Sequence, residues 1–314
     1  MAWGAGVSGL RQSLADYLML RRSLGYKLER PEKLLTQFID YLDAHGVDTI
    51  TVESALAWAR LPDNANPNWW AHRLAAVRGF AAYLHTLDPA TEVPARDLLP
   101  SRPQRASPYL YSDAEILALI DAAATLRSPL RAATYQTLIG LLAVTGMRVG
   151  EAIRLNRDDF DPGTGVLVVR WTKNAKTREL PLHPTTVTAL ADYLTRRQLD
   201  ESTPTSPALF VSSAGTRLLY CNIHSTFKIL RRHAGLPART GACRPRIHDL
   251  RHSFAVNTLL DAYRHGHDAQ HRLGLLSTYL GHVDPAGTYW YLSAAPELLA
   301  LAAERLDRHQ ERPS

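Results

Sequence analysis

The chain has little cysteine, little lysine and no long apolar run. Its two cysteines, Cys221 and Cys243, stand apart with no CxxC spacing. That gives no metal framework and fits a reducing cytoplasm. Both are expected to be buried as small apolar side chains. Lysine is confined to Lys27, Lys33, Lys173, Lys176 and Lys228, so arginine carries most of the positive charge. The longest conspicuous apolar run, 138–144, falls far short of the roughly 18 residues that a membrane span needs. The opening MAWGAGVSGL has neither a basic nor an apolar signal region, so no secretory signal is expected. There is no internal repeat and no low-complexity tract.

What the chain does have is material for packed cores: 314 residues, 46% of them hydrophobic. That length suits one large domain or two ordinary ones. The net charge of +6 is compatible with a polyanionic partner. The planar fork of arginine suits a bidentate grip on phosphate oxygens.

The first hundred residues have helical periodicity. Leu10, Leu14, Tyr17 and Leu18 share one face of 10–24. A second helix over 31–46 opens with Pro31 in its first turn, stops at Gly46, and turns Leu34, Leu35, Phe38, Ile39 and Leu42 inward. A third over 51–61 starts from a Thr51 cap with Glu53 in its first turn. A fourth over 67–85 carries Trp70, Leu74, Val77, Ala81 and Leu84 inward, with the Trp69–Trp70 pair as core. Arg21, Arg22, Lys27 and Arg30 gather at the joint of the first two helices, and Arg73 and Arg78 lie on the fourth. They are candidate DNA contacts, with a solvated helix face as the equal alternative. The stretch 88–108 is then rich in proline and reads as a linker carrying Arg102 and Arg105. The division is 1–100 for a helical domain, 101–108 for a linker, and 109–314 for a second domain.

In the second domain, Ser112 and Glu115 form a capping-box signature ahead of a helix. A helix over 129–144 breaks at Gly146, and Arg148 stands at the start of the next. Residues 158–182 read as a small antiparallel sheet whose polar hairpin tip holds Lys173, Asn174 and Lys176. Helices follow over 184–197, 220–235 and 248–263, with a tail helix over 296–309. The 220–235 helix presents Lys228, Arg231 and Arg232, and the loop after it Arg244 and Arg246, as further candidate DNA contacts. The fold class is therefore mainly α with a small antiparallel β-sheet.

Four fragments carry chemistry: TGMRVGE (145–151), TKNAKTREL (172–180), HDLRHSF (248–254) and HVDPAGTYWYLS (282–293). Together they supply Arg148, Lys173, His248, Arg251, His282 and Tyr291. Phosphoryl transfer needs positioning and charge compensation, which this set can provide. Arg148 stands where a helix start already favours an anion. His248 and Arg251, three apart, share a helix face, and two guanidiniums can clamp one phosphate. His248 can serve as base or donor, Lys173 can protonate a leaving oxygen, and His282 can hydrogen-bond the phosphoryl group. Tyr291 can attack, with help to ionise its phenol. Taken singly, each residue is more simply a surface ion pair, a solvated lysine or a core aromatic.

In order and spacing, the six resemble the tyrosine recombinases, or phage integrases, which include Cre, Flp and the Xer proteins. The family pattern of Arg, Lys, His-x-x-Arg, His or Trp, and Tyr falls on Arg148, Lys173, His248, Arg251, His282 and Tyr291. The nine-residue step from His282 selects Tyr291 over Tyr289. The resemblance covers nearly the whole chain and implies a four-helix core-binding domain ahead of a tyrosine-recombinase catalytic domain. It also implies attack by Tyr291 to give a 3′-phosphotyrosyl bond, no metal or nucleotide cofactor, and a homo-tetramer, or a tetramer with related recombinases, on double-stranded DNA recombination sites. The tail helix 296–309 would dock on a neighbouring protomer or on its own domain. Residues 262–274 look longer than in the bacterial Xer members. Their His265, His267 and His271 are expected to belong to a polar surface insertion rather than a metal site. The implied work is DNA integration, transposition of a mobile element or resolution of chromosome dimers. A type IB topoisomerase and a non-catalytic DNA-binding protein are the alternatives.

Overall fold

The computed structural model describes residues 7–100, 107–170, 177–199, 206–241, 243–265 and 268–281. The chain divides at Arg105 into two compact units. Residues 101–106 of the expected linker lie outside the described residues, as do Arg102 and Arg105.

The first unit holds four helices: α1 (Val7–Ser23), α2 (Glu29–Ala44), α3 (Val52–Arg60) and α4 (Pro67–His85). Their ends follow local chemistry. Thr51 caps α3 by accepting from Ser54 N at 3.1 Å, and Ser54 Oγ accepts from Thr51 N at 3.1 Å. Asn66 caps α4 through Asn68 N at 2.8 Å, with Pro67 in the first helical position, where no amide hydrogen is missed. The apolar stripes of α1 and α2 are buried as their spacing requires.

On α4 the expectation needs two corrections. Trp70 is only half-buried, because its indole Nε1 reaches out to Pro62 O at 2.9 Å. Arg73, a candidate DNA contact, is 7% exposed. Its Nη2 donates to Trp58 O at 2.8 Å, and its guanidinium lies 3.7 Å from the centre of the Trp58 ring. A guanidinium stacked on an indole and tied to a carbonyl inside the core does not meet a phosphate.

The second unit continues with α5 (Asp113–Ala124), α6 (Pro129–Thr145) and α7 (Val149–Arg154). The expected capping box at Ser112 and Glu115 closes with bonds of 3.2 and 2.8 Å. A 3-10 turn at Arg157–Asp159 leads into β1 (Phe160–Asp161), β2 (Val166–Val169) and β3 (Arg178–Pro181). They pair antiparallel in the order β1-β2-β3, with Leu167 opposite Leu180. Alternation sends Leu167, Val169 and Leu180 into the core. Next come α8 (Pro184–Gln198), α9 (Tyr220–His233), α10 (Asp249–Arg264) and α11 (Ala269–Leu280).

The stretch 262–274 is not a polar surface insertion throughout. Its first residues finish α10 and its last begin α11, which Asp268 caps through Gln270 N at 2.9 Å and His271 N at 3.1 Å. His265 Nδ1 lies 2.8 Å from Asp261 O, the carbonyl one turn back, and His267 lies outside the described residues. The cysteines also depart from expectation: Cys221 is exposed and Cys243 half-buried. On α9 the inward positions belong to Ile223, Phe227 and Leu230, which leaves Cys221 on the outer face. Among the described residues no helix is long and apolar enough to cross a membrane.

One glycine fixes the geometry that matters most. Gly146 ends α6 in the left-handed region at φ 58°. A Cβ there would strike the Phe254 ring and come within 3.1 Å of Leu280 Cδ2. Both the backbone conformation and the close approach of α10 and α11 exclude a side chain. Gly146→Ala should therefore destabilise the protein by about 2 kcal/mol or more; a urea midpoint unchanged from the wild type would contradict this.

Candidate active site

The start of α10 is set by a buried carboxylate. Asp249, fully buried, accepts from Arg246 N, Nε and Nη2 at 3.0, 3.0 and 2.7 Å. This clasp orients the turn that delivers His248, the residue just before the helix. Ser253, one turn on, accepts from Tyr111 N at 2.7 Å and donates to Asp249 O at 3.0 Å. Tyr111 OH in turn donates to Arg246 O at 3.0 Å. The residue order HDLRHS thus places Asp249, Arg251 and Ser253 in the interior while His248 stays at the rim.

Arg251 is 2% exposed. Its Nη1 donates to Gly146 O at 2.8 Å and its Nη2 to Leu280 O at 2.8 Å. These two bonds join α10 to the turn just before Arg148 and to the end of α11, the helix that leads to His282. His248 lies among these charges. Burial of its ring by surrounding atoms, then repulsion from Arg251, with smaller contributions from Arg148 and Arg246, hold its pKa below the ordinary value against the pull of Asp249. A lowered pKa favours the neutral form of the ring, which can accept a proton. It meets His252 edge-on at 5.0 Å.

Arg148 precedes α7, as expected, but the anion at that helix start is supplied by the protein itself. Glu151 accepts from Arg148 N at 3.0 Å and from Arg148 Nη1 at 2.9 Å. Arg178, the first residue of β3, approaches from the other side, Nη2 to Oε2 at 2.7 Å and Nη1 to Oε1 at 3.4 Å. Glu151 is 2% exposed. Burial alone would raise its pKa; the bond and charge of Arg178, then the donors of Arg148, outweigh this and hold it at about 2.

The structure therefore brings Arg148, His248 and Arg251 together. Lys173, His282 and Tyr291 lie outside the described residues, as does Lys176. Glu151 and Arg178 escaped the sequence reading. The Arg-x-x-Glu spacing at a helix start was an available signal. Arg178 had none, because its pairing with Glu151 spans 27 positions.

The remaining candidate DNA contacts differ in availability. Lys27, Arg30, Lys228, Arg232 and Arg244 are exposed, and Arg30 lies 5.4 Å from the Trp69 ring centre. Arg22 pairs with Glu32 at 2.6 Å, and Arg21 lies over Tyr26 at 3.9 Å. Arg78 donates to Ala95 O at 3.2 Å and Arg231 to Pro245 O at 3.5 Å. Arg246 holds Asp249 but keeps 42% of its side chain exposed.

A mainly helical chain with a three-stranded sheet, and with an arginine at a helix start meeting a His-x-x-Arg helix, has the form of a tyrosine recombinase. The chain belongs to the phage integrase family, whose model matches residues 110–297. It is 46% identical to a Sinorhizobium fredii protein described as "Putative integrase/recombinase y4rB", over 97% of this chain and 99% of that one. It is 31% identical to the tyrosine recombinase XerC of Alcanivorax borkumensis, over 69% of this chain and 66% of that one. The fold is similar to that of the XerH site-specific recombinase in its post-cleavage complex with a palindromic difH substrate. That match has a TM-score of 0.63 at 20% identity and covers 97% of this chain and 86% of XerH.

The state of Glu151 has a stability consequence. Its folded pKa of about 2 lies below the ordinary 4.5, so its contribution is fully present above the unfolded value and is lost as pH falls toward 2. The loss should reach roughly 3 kcal/mol. Denaturant melts between pH 6 and pH 2.5 should show the wild-type advantage over Glu151→Gln shrinking as acid is added; a constant difference would contradict the assignment.

Proposed function

We propose that this recombinase cleaves and rejoins double-stranded DNA through a 3′-phosphotyrosyl bond to Tyr291. The reading rests on the convergence of TGMRVGE and HDLRH: Arg251 bonds Gly146 O, and the charges of Arg148 and Arg251 both act on His248. Two guanidiniums beside a neutral imidazole form a pocket suited to a phosphodiester and to the extra charge its oxygens gain during in-line displacement. The carbonyls that hold Arg251 fix the plane of its guanidinium.

In this reaction the Tyr291 oxygen bonds to phosphorus as the 5′-oxygen departs. His248 takes the phenolic proton or hydrogen-bonds the phosphoryl group, His282 donates to that group, and Lys173 gives a proton to the leaving oxygen. The hydroxyl of a partner strand reverses the step. The phosphotyrosyl link keeps the energy of the broken bond, so no nucleotide or metal cofactor is called for.

Residues 1–100 act as the core-binding domain, 101–108 as the linker, and 109–314 as the catalytic domain; the expected tail helix 296–309 lies outside the described residues. Exposed Lys27, Arg30, Lys228, Arg232 and Arg244 grip the duplex backbone. The working assembly is a homo-tetramer, or a tetramer with related recombinases, on two recombination sites in the cytoplasm. Its biological work is integration or transposition of a mobile element, or resolution of chromosome dimers.

Two measurements test this. Tyr291→Phe should abolish covalent adduct on a nicked suicide duplex while duplex binding persists; adduct that survives moves the nucleophile, with Tyr289 the next to test. Lys173→Ala should slow cleavage of ordinary DNA by about a hundredfold or more, within the range of general-acid catalysis. It should slow a substrate carrying an activated 5′-leaving group far less. Equal loss on both substrates would take the proton-donor role away from Lys173.

A further inference from the structure

The buried carboxylate beside Arg148 poses an electrostatic problem. Glu151 is 2% exposed and takes Arg148 Nη1 at 2.9 Å. In a poorly solvated site such a pair is close to neutral. An arginine whose charge is spent on its own neighbour offers little to a phosphate.

Arg178 changes the balance. Its guanidinium is 13% exposed and meets the same carboxylate at 2.7 Å. One carboxylate between two guanidiniums leaves the cluster with a net charge of +1. The Nε of Arg178 is buried with no acceptor among the described residues, so the side chain is held by its terminal nitrogens. Gly281 packs against it: a Cβ there would come within 3.0 Å of Nη1 and 3.6 Å of Cζ. Arg178 thus touches Glu151 from TGMRVGE and the glycine just before His282. It also begins the strand that follows the segment containing Lys173 in sequence.

We propose that Arg178 is a positioning residue for strand cleavage, neutralising Glu151 so that the guanidinium of Arg148 remains available to the scissile phosphate. This rests on the phosphotyrosyl reading above. Without Arg178, Glu151 would draw Arg148 wholly to itself. A purely structural role would predict something else: loss of Arg178 would hurt packing, and removing the charge of Glu151 would not help.

The test compares wild type, Arg178→Lys, Arg178→Met and the double variant Arg178→Met/Glu151→Gln in single-turnover cleavage of a nicked suicide duplex, with urea melts to confirm folding. Arg178→Met should cleave about a hundredfold more slowly, in line with loss of one preorganised charge contact. Arg178→Lys, which keeps the charge, should recover most of that. The double variant should be at least about tenfold faster than Arg178→Met, because the carboxylate that captures Arg148 is gone. An Arg178→Met rate within about twofold of wild type, or a double variant no faster than Arg178→Met, overturns the proposal.

A second measurement needs no DNA. The Glu151 carboxyl, followed by side-chain carbon NMR, should titrate at higher pH in Arg178→Met, and in Arg178→Gln if the methionine variant does not fold. An unmoved titration overturns the inference. Absence of any wild-type adduct defeats the phosphotyrosyl reading instead, and the titration still decides whether Arg178 governs Glu151.

Discussion

The buried guanidinium of Arg251 organises everything around it. Its bonds to Gly146 O and Leu280 O hold three stretches together that lie far apart in the chain: the turn after α6, the body of α10 and the last turn of α11. Backbone carbonyls at helix ends need donors, and a fork of fixed geometry supplies two at once. The same contacts hold Arg148 next to His248. One side chain therefore supplies donors to two carbonyls at helix ends and sets the spacing of Arg148 and His248.

Much of this was legible from residue order, and the reasons are local. The α3 cap at Thr51, the Ser112–Glu115 box and the break at Gly146 depend on neighbours a few positions away. The apolar stripe of α2 likewise follows from helical spacing alone. What local pattern could not convey was the destination of polar side chains. Arg73 and Arg78 sit on one helix and look alike in sequence, yet one is stacked on Trp58 inside the core and the other reaches a carbonyl near the surface. Arg178 was read as part of a hairpin strand because its partner lies on a different element. Cys221 is exposed because helix phase, not residue type, sets its side.

The same limit applies to the catalytic pattern. The motif named Arg148, His248 and Arg251 from type and spacing, and the fold places them together. The charge environment that tunes them comes from Glu151, Asp249, Arg178 and Arg246, residues that lie beside the motif positions or across the sheet from them. Two of these are carboxylates clasped by arginine, and each holds the turn that presents a functional side chain. Acidic residues here work as fasteners for basic ones.

The two units each bury their own apolar cluster, one around Phe38, Trp58 and Phe80, the other around Leu138, Phe210 and Leu250. Separate interiors make injury separable. A void opened beneath Trp58 would loosen its own bundle, whose cluster draws only on residues of that unit among those described. A substitution in one interior is accordingly felt first by the unit that contains it.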